Sequence, residues 1–261
     1  MSLSGLLPLV GQTEQFAVLL NKLRSPRVKA SVIAPESATE CTVATVWSHF
    51  DAPVFVLTPN PESARKLHDR LFTWLGDDAP VFLFSESEDI PFERYIPDRG
   101  ASHNRLRALS AMRGEVKGVR QPLIVCSVNA ASQATIERSV FDSSTHVLGV
   151  KRTINLDDLI NCWIEMGYVN NPTVEIPGTF SRRGGILDIY PVSMEQPVRI
   201  ELFDDEIESI RYFDPGTQRS AKTIRSVTVT PAHETLPSLA DQELVEKQLG
   251  QMDLIGTSEE A

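Results

Sequence analysis

The chain has 261 residues, which is enough for a sizeable buried core in one large domain or two smaller ones. Its 41% apolar content is that of an ordinary soluble globular protein, and no apolar run approaches the roughly 20 residues of a membrane span. Three widely spaced cysteines and a net charge of −10 argue against a disulfide framework, a zinc site or tight direct DNA binding, and favour a reducing cytoplasm.

The first half alternates short apolar segments with helical patterns, which is typical of a mostly parallel α/β sheet. Four segments are predicted to be buried strands: Val28–Ala34, Val54–Thr58, Val81–Ser85 and Leu123–Val128. A helix is predicted between the second and third strands, with Asn60 as its cap, Pro61 as its first residue and Gly76 at its end. Arg105–Met112 favours another helix, and we expect residues 1–143 to form an α/β domain.

From about Ser144 the pattern changes to one helix followed by strands and turns. Asn155 is the predicted cap of the helix Leu156–Met166. The strand-and-turn segments are Thr179–Pro191, Val198–Phe203, Ile207–Phe213 and Val227–Thr230. These patterns predict a small α+β domain over residues 144–233. Residues 234–261, with seven acidic side chains and one basic, are expected to begin a further element.

The segment after Val32 and Ile33 stands where an α/β protein of this kind carries its phosphate-binding loop. Such a loop needs glycines, whose N–H groups surround the phosphates, and then Lys and Ser or Thr. Here Ala34 and Thr39 take the glycine positions, Glu40 takes the lysine position and Cys41 the hydroxyl position. A carboxylate at the lysine position would repel a triphosphate. The sequence therefore predicts a degenerate phosphate loop that binds no nucleotide.

A long motif occupies the second half of the chain. Residues 179–191 are TFSRRGGILDIYP, VRIELFDDEI begins at Val198, and RYFD begins at Arg211. This motif resembles domain 2 of the family that comprises the UvrB excision-repair proteins and the transcription-repair coupling factors. The resemblance also covers residues 156–168 and 231–234 and, more weakly, Pro91–Tyr95.

Two departures from UvrB make the chain more similar to the amino-terminal module of the coupling factors. UvrB keeps an intact phosphate loop, whereas this chain has Glu40. UvrB also inserts a long hairpin that clamps DNA, whereas Arg94–Pro97 here leads within a few residues to the helix that includes Asn104–Met112. The resemblance implies a surface that binds UvrA, without catalytic residues, metal or cofactor. It further implies intramolecular masking of that surface, and contact with RNA polymerase, ATP, Mg²⁺ and DNA only through other domains.

The residues proposed to bind the partner come from strand alternation and from the resemblance. Val198, Ile200 and Leu202 would face the core, which places Arg199, Glu201 and Phe203 on the opposite face. The resemblance adds Arg183 and assigns UvrA contact to Arg183, Arg199 and Phe203, with Glu201 added from alternation alone. An exposed aromatic side chain beside arginine is typical of a binding hot spot.

Several alternatives remain open from the sequence. Phe203 could pack under a loop while the arginines form surface ion pairs worth about 0–1 kcal/mol. Asp204, Asp205 and Glu206 could hold a metal ion, although three acids at a hairpin turn are more often solvated. Gly184–Gly185 could admit a ligand close to the backbone, although a bulge or a tight strand entry is expected instead. The chain could also be a UvrB-type NTPase fragment with a divergent loop, or a scaffold with no external partner.

Overall fold

The computed structural model describes residues 2–87, 99–114, 116, 119 and 121–236. The chain divides into two compact units. Unit 1 contains the described residues of Met1–Ala134 together with Val192–Glu195, and unit 2 contains those of Thr135–Pro191 and Gln196–Ala261. The boundary predicted between residues 143 and 144 lies inside unit 2. The segment Pro91–Tyr95 and all of 234–261 beyond residue 236 lie outside the described residues.

Unit 1 is built on a parallel sheet of three strands in the order β1-β3-β2. The strands are β1 (Val54–Thr58), β2 (Val81–Phe84) and β3 (Leu123–Ser127). The helices are α1 (Leu7–Gly11), α2 (Glu14–Leu23), α3 (Thr39–Ser48), α4 (Pro61–Leu75), α5 (Arg99–Met112) and α6 (Val128–Ser132). The α/β character predicted for the first half is therefore confirmed, with a smaller sheet than expected.

The central strand β3 is buried along its whole length because helices cover both faces of the sheet. Leu123 and Val125 belong to a core cluster with side chains of α3 and α4, whereas Ile124 and Cys126 pack with side chains of α5. A strand that is covered on both faces has a continuous run of apolar residues in its sequence, rather than alternating apolar and polar residues. This is why Leu123–Val128 was recognisable as a buried strand.

The ends of α4 follow the predicted capping chemistry. The Asn60 side chain accepts a hydrogen bond of 2.9 Å from the backbone N–H of Ser63, and Pro61 is the first helical residue. Gly76 follows the last residue with φ +93°, a backbone conformation that side chains disfavour. Helix α5 starts six residues earlier than the predicted Arg105.

The predicted strand Val28–Ala34 is wrong. These residues form no strand, and the side chains of Val28, Val32 and Ile33 are 42%, 50% and 102% exposed. A strand is stable only when a neighbour takes up its backbone N–H and C=O groups. Within the described residues β1 pairs only with β3, so no strand pairs with Val28–Ala34. Local apolar content alone suggested the strand.

His103 on α5 is a half-buried histidine whose ring nitrogen Nδ1 is buried. Among the described residues its Nδ1 has no partner. Burial, and next the guanidinium of Arg107, lower the pKa of His103 to about 4, against a weaker opposing effect of Glu195. Because this pKa lies below its unfolded value near 6.5, the unfolded chain binds the proton more readily. Stability contributed by neutral His103 is therefore present above pH 6.5 and is lost as the pH falls towards 4.

A His103→Asn variant is expected to be less sensitive to acid than the wild type. Lowering the pH from 7.5 to 5.0 should reduce the free energy of unfolding of the wild type by about 2 kcal/mol more than that of the variant. Urea unfolding at the two pH values, followed by circular dichroism, measures this difference. Equal losses in both proteins would contradict the assignment to His103.

Unit 2 contains a six-stranded sheet in the order β10-β9-β8-β7-β6-β5, and a separate pair β11-β4. The strands are β4 (His146–Gly149), β5 (Val169–Asn170), β6 (Thr179–Arg183), β7 (Ile186–Ile189), β8 (Val198–Phe203), β9 (Glu206–Phe213), β10 (Ser220–Ile224) and β11 (Ser226–Val229). Helices α7 (Arg138–Ser144) and α8 (Leu156–Glu165) complete the unit. Strands β6 to β10 form an antiparallel meander, whereas β5 pairs parallel to β6.

Trp163 of α8 is the largest fully buried side chain in unit 2. Its ring lies 5.5 Å from Phe180 and 6.4 Å from Tyr168 between centroids. Its indole N–H donates to Nε2 of His146 at 3.1 Å. The predicted cap of this helix is also present, since the Asn155 side chain accepts from the N–H groups of Asp157 and Asp158. In the described part of the chain, no helix has the length and apolar character needed to cross a membrane.

Candidate partner-binding site

Two tight hairpin turns lie next to each other at one end of the unit 2 sheet. Gly184 and Gly185 join β6 to β7, and Asp204 and Asp205 join β8 to β9. Gly184 has φ +61°, and a Cβ on Gly185 would lie 3.1 Å from the carbonyl oxygen of Leu202. The two glycines therefore form a tight turn between β6 and β7, in place of the bulge or tight strand entry expected from the sequence, and the turn lets β7 and β8 approach closely.

Strand register places the predicted partner-binding residues on one face of this sheet. Arg183 lies opposite Ile186, Ile186 opposite Glu201, and Glu201 opposite Ser209. The adjacent row is Ser181, Asp188, Arg199 and Arg211. Directly opposed residues of antiparallel strands point to the same side. We call this surface the arginine face, and its members are Arg183, Asp188, Arg199, Glu201, Phe203, Ser209 and Arg211.

The opposite side of the same strands faces the core, as alternation predicts. Val198 and Ile200 are completely buried, and Leu202 is half-buried. Arg183 and Arg199 share the arginine face, but β7 lies between their strands β6 and β8, which are therefore about 10 Å apart. Strand order, which the sequence left open, sets this spacing.

Arg199 is held by a bidentate ion pair with Asp188. The Arg199 Nε and Nη2 atoms donate to Oδ1 and Oδ2 of Asp188 at 2.7 and 2.8 Å. Nη1 donates to the carbonyl oxygen of Gln218 at 3.3 Å, and the Phe213 ring lies 4.9 Å from Cζ. The hydrogen bond to Asp188 raises the pKa of the Arg199 guanidinium above its ordinary value. Arg199 is therefore a charged group with a fixed orientation.

Glu201 is engaged within the sheet. Its Oε2 accepts hydrogen bonds from Ser209 Oγ and from Arg211 Nη2, each at 2.7 Å. The side chains of Glu201 and Arg211 are 28% and 38% exposed. Glu201 thus holds Arg211 on the arginine face. Arg211 lies on β9, so alternation along β8 alone did not identify it.

Phe203 and Arg183 are the most accessible of the four predicted residues. Phe203 is 75% exposed, so the alternative in which it packs under a loop is wrong. Arg183 is exposed and donates from Nη2 to the carbonyl oxygen of Pro172 at 2.6 Å. An aromatic ring that is left in water on the same sheet face as two arginines has more apolar area to bury against a partner than against its own chain.

The segment that aligns with a phosphate loop has another arrangement in unit 1. Ala34 is exposed, Glu36–Ala38 form a 3₁₀ turn, and Thr39 begins α3. Glu40 is 7% exposed, and its Oε1 accepts from Arg70 Nη1 of α4 at 2.9 Å. Cys41 is a free, half-buried thiol whose Sγ lies 4.0 Å from Thr45 Oγ1. The lysine position of the pattern is therefore occupied by a carboxylate that pairs with an arginine of the next helix.

Asp188 was missed in the sequence, although a signal was present. It interrupts the apolar strand Ile186–Ile189, and a carboxylate at a buried strand position requires a charged or hydrogen-bonding partner. Its exposed fraction is only 2%. Across the described residues, Asp204, Asp205 and Glu206 included, no group of three His, Cys, Asp or Glu side chains is arranged to hold a metal ion.

Comparison with known proteins places this geometry in a family. Residues 147–234 match the family model described as the UvrB interaction domain, and this range contains every member of the arginine face. The chain is a UvrB-like module of the transcription-repair coupling factor type. The matched range lies in the same half of the chain as the sequence motif.

Relatives of this UvrB-like module extend the match to most of the chain. A transcription-repair-coupling factor of Bacillus subtilis is 34% identical over 87% of this chain and 19% of that protein. One of Myxococcus xanthus is 32% identical over 85% of this chain and 19% of that protein. A UvrABC system protein B of Acinetobacter baylyi is 32% identical over 75% of this chain and 30% of that protein. The module thus spans about a fifth of the length of the coupling factors that it matches.

Proposed function

We propose that this UvrB-like module is a non-catalytic interaction module of a transcription-coupled repair factor and that its arginine face binds UvrA. The observation that carries the proposal is Phe203, 75% exposed at the end of β8 within a UvrB interaction domain. In the full coupling factor the module would bring UvrA to a stalled RNA polymerase. Polymerase, DNA and ATP would be engaged by other parts of such a protein, one of which would mask the arginine face at rest.

The chemistry of the arginine face supports protein recognition. Arg183, Arg199 and Arg211 lie on one side of three nearby strands, and each already donates to an oxygen of this chain. Arginine and phenylalanine together supply directional N–H donors and a large apolar area, the combination that dominates protein interfaces. A net charge of −10 for the whole chain makes nucleic acid a poorer partner for this small basic surface.

The alternative of a UvrB-type NTPase is tested by adding nucleotide. We expect Mg-ATP to leave the thermal unfolding midpoint of the module unchanged, because the Glu40 carboxylate would repel the phosphates. A ligand that binds only the folded state must raise the midpoint. An NTPase with an intact phosphate loop serves as positive control in the same assay. A clear rise for this module would contradict the proposed absence of nucleotide binding.

The proposal itself is tested by titrating purified UvrA with the wild-type module and measuring heat or fluorescence anisotropy. Saturable binding with a defined stoichiometry is the expected outcome. Absence of binding by a well-folded module would overturn the proposed partner and leave the scaffold and divergent-NTPase hypotheses. A parallel titration with short duplex DNA is expected to show much weaker binding that disappears as the salt concentration is raised.

A further inference from the structure

The ion pair between Asp188 and Arg199 is largely buried, although it belongs to the proposed binding surface. It lies at the centre of the arginine face, yet the side chains of Asp188 and Arg199 are only 2% and 17% exposed. A guanidinium has five N–H donors, of which Asp188 takes two and the carbonyl oxygen of Gln218 takes one. Within the described part of the chain, this leaves two donors of Arg199 for another acceptor.

We propose that Asp188 is a positioning residue of the partner site, which holds the Arg199 guanidinium in one orientation so that its remaining N–H groups meet a hydrogen-bond acceptor of the partner. This inference rests on the proposed binding of UvrA. The two parallel hydrogen bonds from Arg199 to Asp188 are short, at 2.7 and 2.8 Å. Together they prevent rotation of the Arg199 guanidinium. The Phe213 ring under Cζ restricts the plane of the group further.

Orientation before binding matters because a long side chain loses rotational freedom when a partner captures it. A guanidinium that is already fixed has lost that freedom during folding, so less affinity is lost on association. The other two arginines differ. Arg211 contacts one oxygen of Glu201, and Arg183 contacts only a main-chain oxygen. Within the arginine face, Arg199 is therefore the arginine whose orientation is fixed by the most contacts, and Asp188 accepts two of its three hydrogen bonds.

The test is a double-mutant cycle measured as affinity for purified UvrA. The variants are Asp188→Asn, Arg199→Ala and the combination of both, compared with the wild-type module. We expect each single substitution to weaken binding about tenfold or more, and the double variant to bind no more weakly than Arg199→Ala. Losses that multiply in the double variant, or wild-type affinity of Asp188→Asn, would overturn the positioning role.

Stability is separated from positioning by two further variants. Thermal unfolding identifies any variant that fails to fold. Arg199→Lys then tests whether the orientation of the group matters beyond its charge, because lysine keeps the charge but cannot form the bidentate pair. Binding by Arg199→Lys as weak as by Arg199→Ala supports the proposal, whereas wild-type affinity overturns it. Glu62→Gln breaks the exposed Lys66–Glu62 pair in unit 1 and serves as the matched control. If the wild type binds UvrA and Asp188→Asn binds equally well, only the positioning role fails.

Discussion

Replacing Phe203 with alanine is expected to weaken the binding of UvrA about tenfold or more while leaving the stability of the module unchanged. The ring is 75% exposed, so its removal costs the free module little buried apolar area. In a complex the same ring would be removed from water, and truncation of a central aromatic side chain typically costs about 2 kcal/mol or more. The affinity is measured by titration of purified UvrA at constant salt concentration.

The matched control for this prediction is Phe55→Ala. Phe55 is also an exposed phenylalanine, at 48%, but it lies on β1 of unit 1 and outside the UvrB interaction domain. The Phe55→Ala variant should bind UvrA with the affinity of the wild-type module. An equal loss for both variants would point to a general effect of removing surface apolar area. Wild-type affinity of Phe203→Ala would show that Phe203 is not part of the interface.

Replacing Trp163 with alanine is expected to lower the free energy of unfolding of unit 2 by about 3–5 kcal/mol. The side chain is completely buried between Phe180 and Tyr168, and its loss leaves a cavity beneath the sheet. The substitution also leaves Nε2 of His146 without the indole N–H that it accepts. Urea unfolding followed by far-ultraviolet circular dichroism measures the change.

Trp163→Phe separates these two contributions. Phenylalanine keeps most of the apolar volume but cannot donate to His146, so we expect a smaller loss of roughly 1–2 kcal/mol. If alanine and phenylalanine destabilise equally, the hydrogen bond rather than packing dominates. A loss below about 1 kcal/mol for alanine would contradict the central role of Trp163 in the core of unit 2.

How much of the fold was predictable depended on whether the responsible contacts are local. The caps at Asn60 and Asn155 involve residues two or three positions away, and both are present. Strand β8 was predicted with its observed bounds because alternation of buried and polar residues needs only neighbours in sequence. Strand Val28–Ala34 was predicted from its apolar content, and that prediction failed because pairing depends on a distant strand.

The candidate site divides in the same way. Alternation put Arg199, Glu201 and Phe203 on one face of β8, and the structure has them there. The contribution of Asp188 depends on the β7–β8 pairing, which brings together residues eleven positions apart in the chain. No spacing along the sequence specifies that pairing, so the carboxylate that fixes Arg199 became apparent only in the folded sheet.

By itself the sequence determined the alternating strands, the helix caps and the long motif of the second half, since these depend on side-chain type and short-range geometry. It also determined that Glu40 stands at the lysine position of the phosphate-loop pattern. Only the tertiary structure decided that Glu40 pairs with Arg70, that β7 separates Arg183 from Arg199, and that Phe203 remains in water. These features arise from contacts between segments far apart in the chain, whose pairing is selected by the whole fold and not by local sequence.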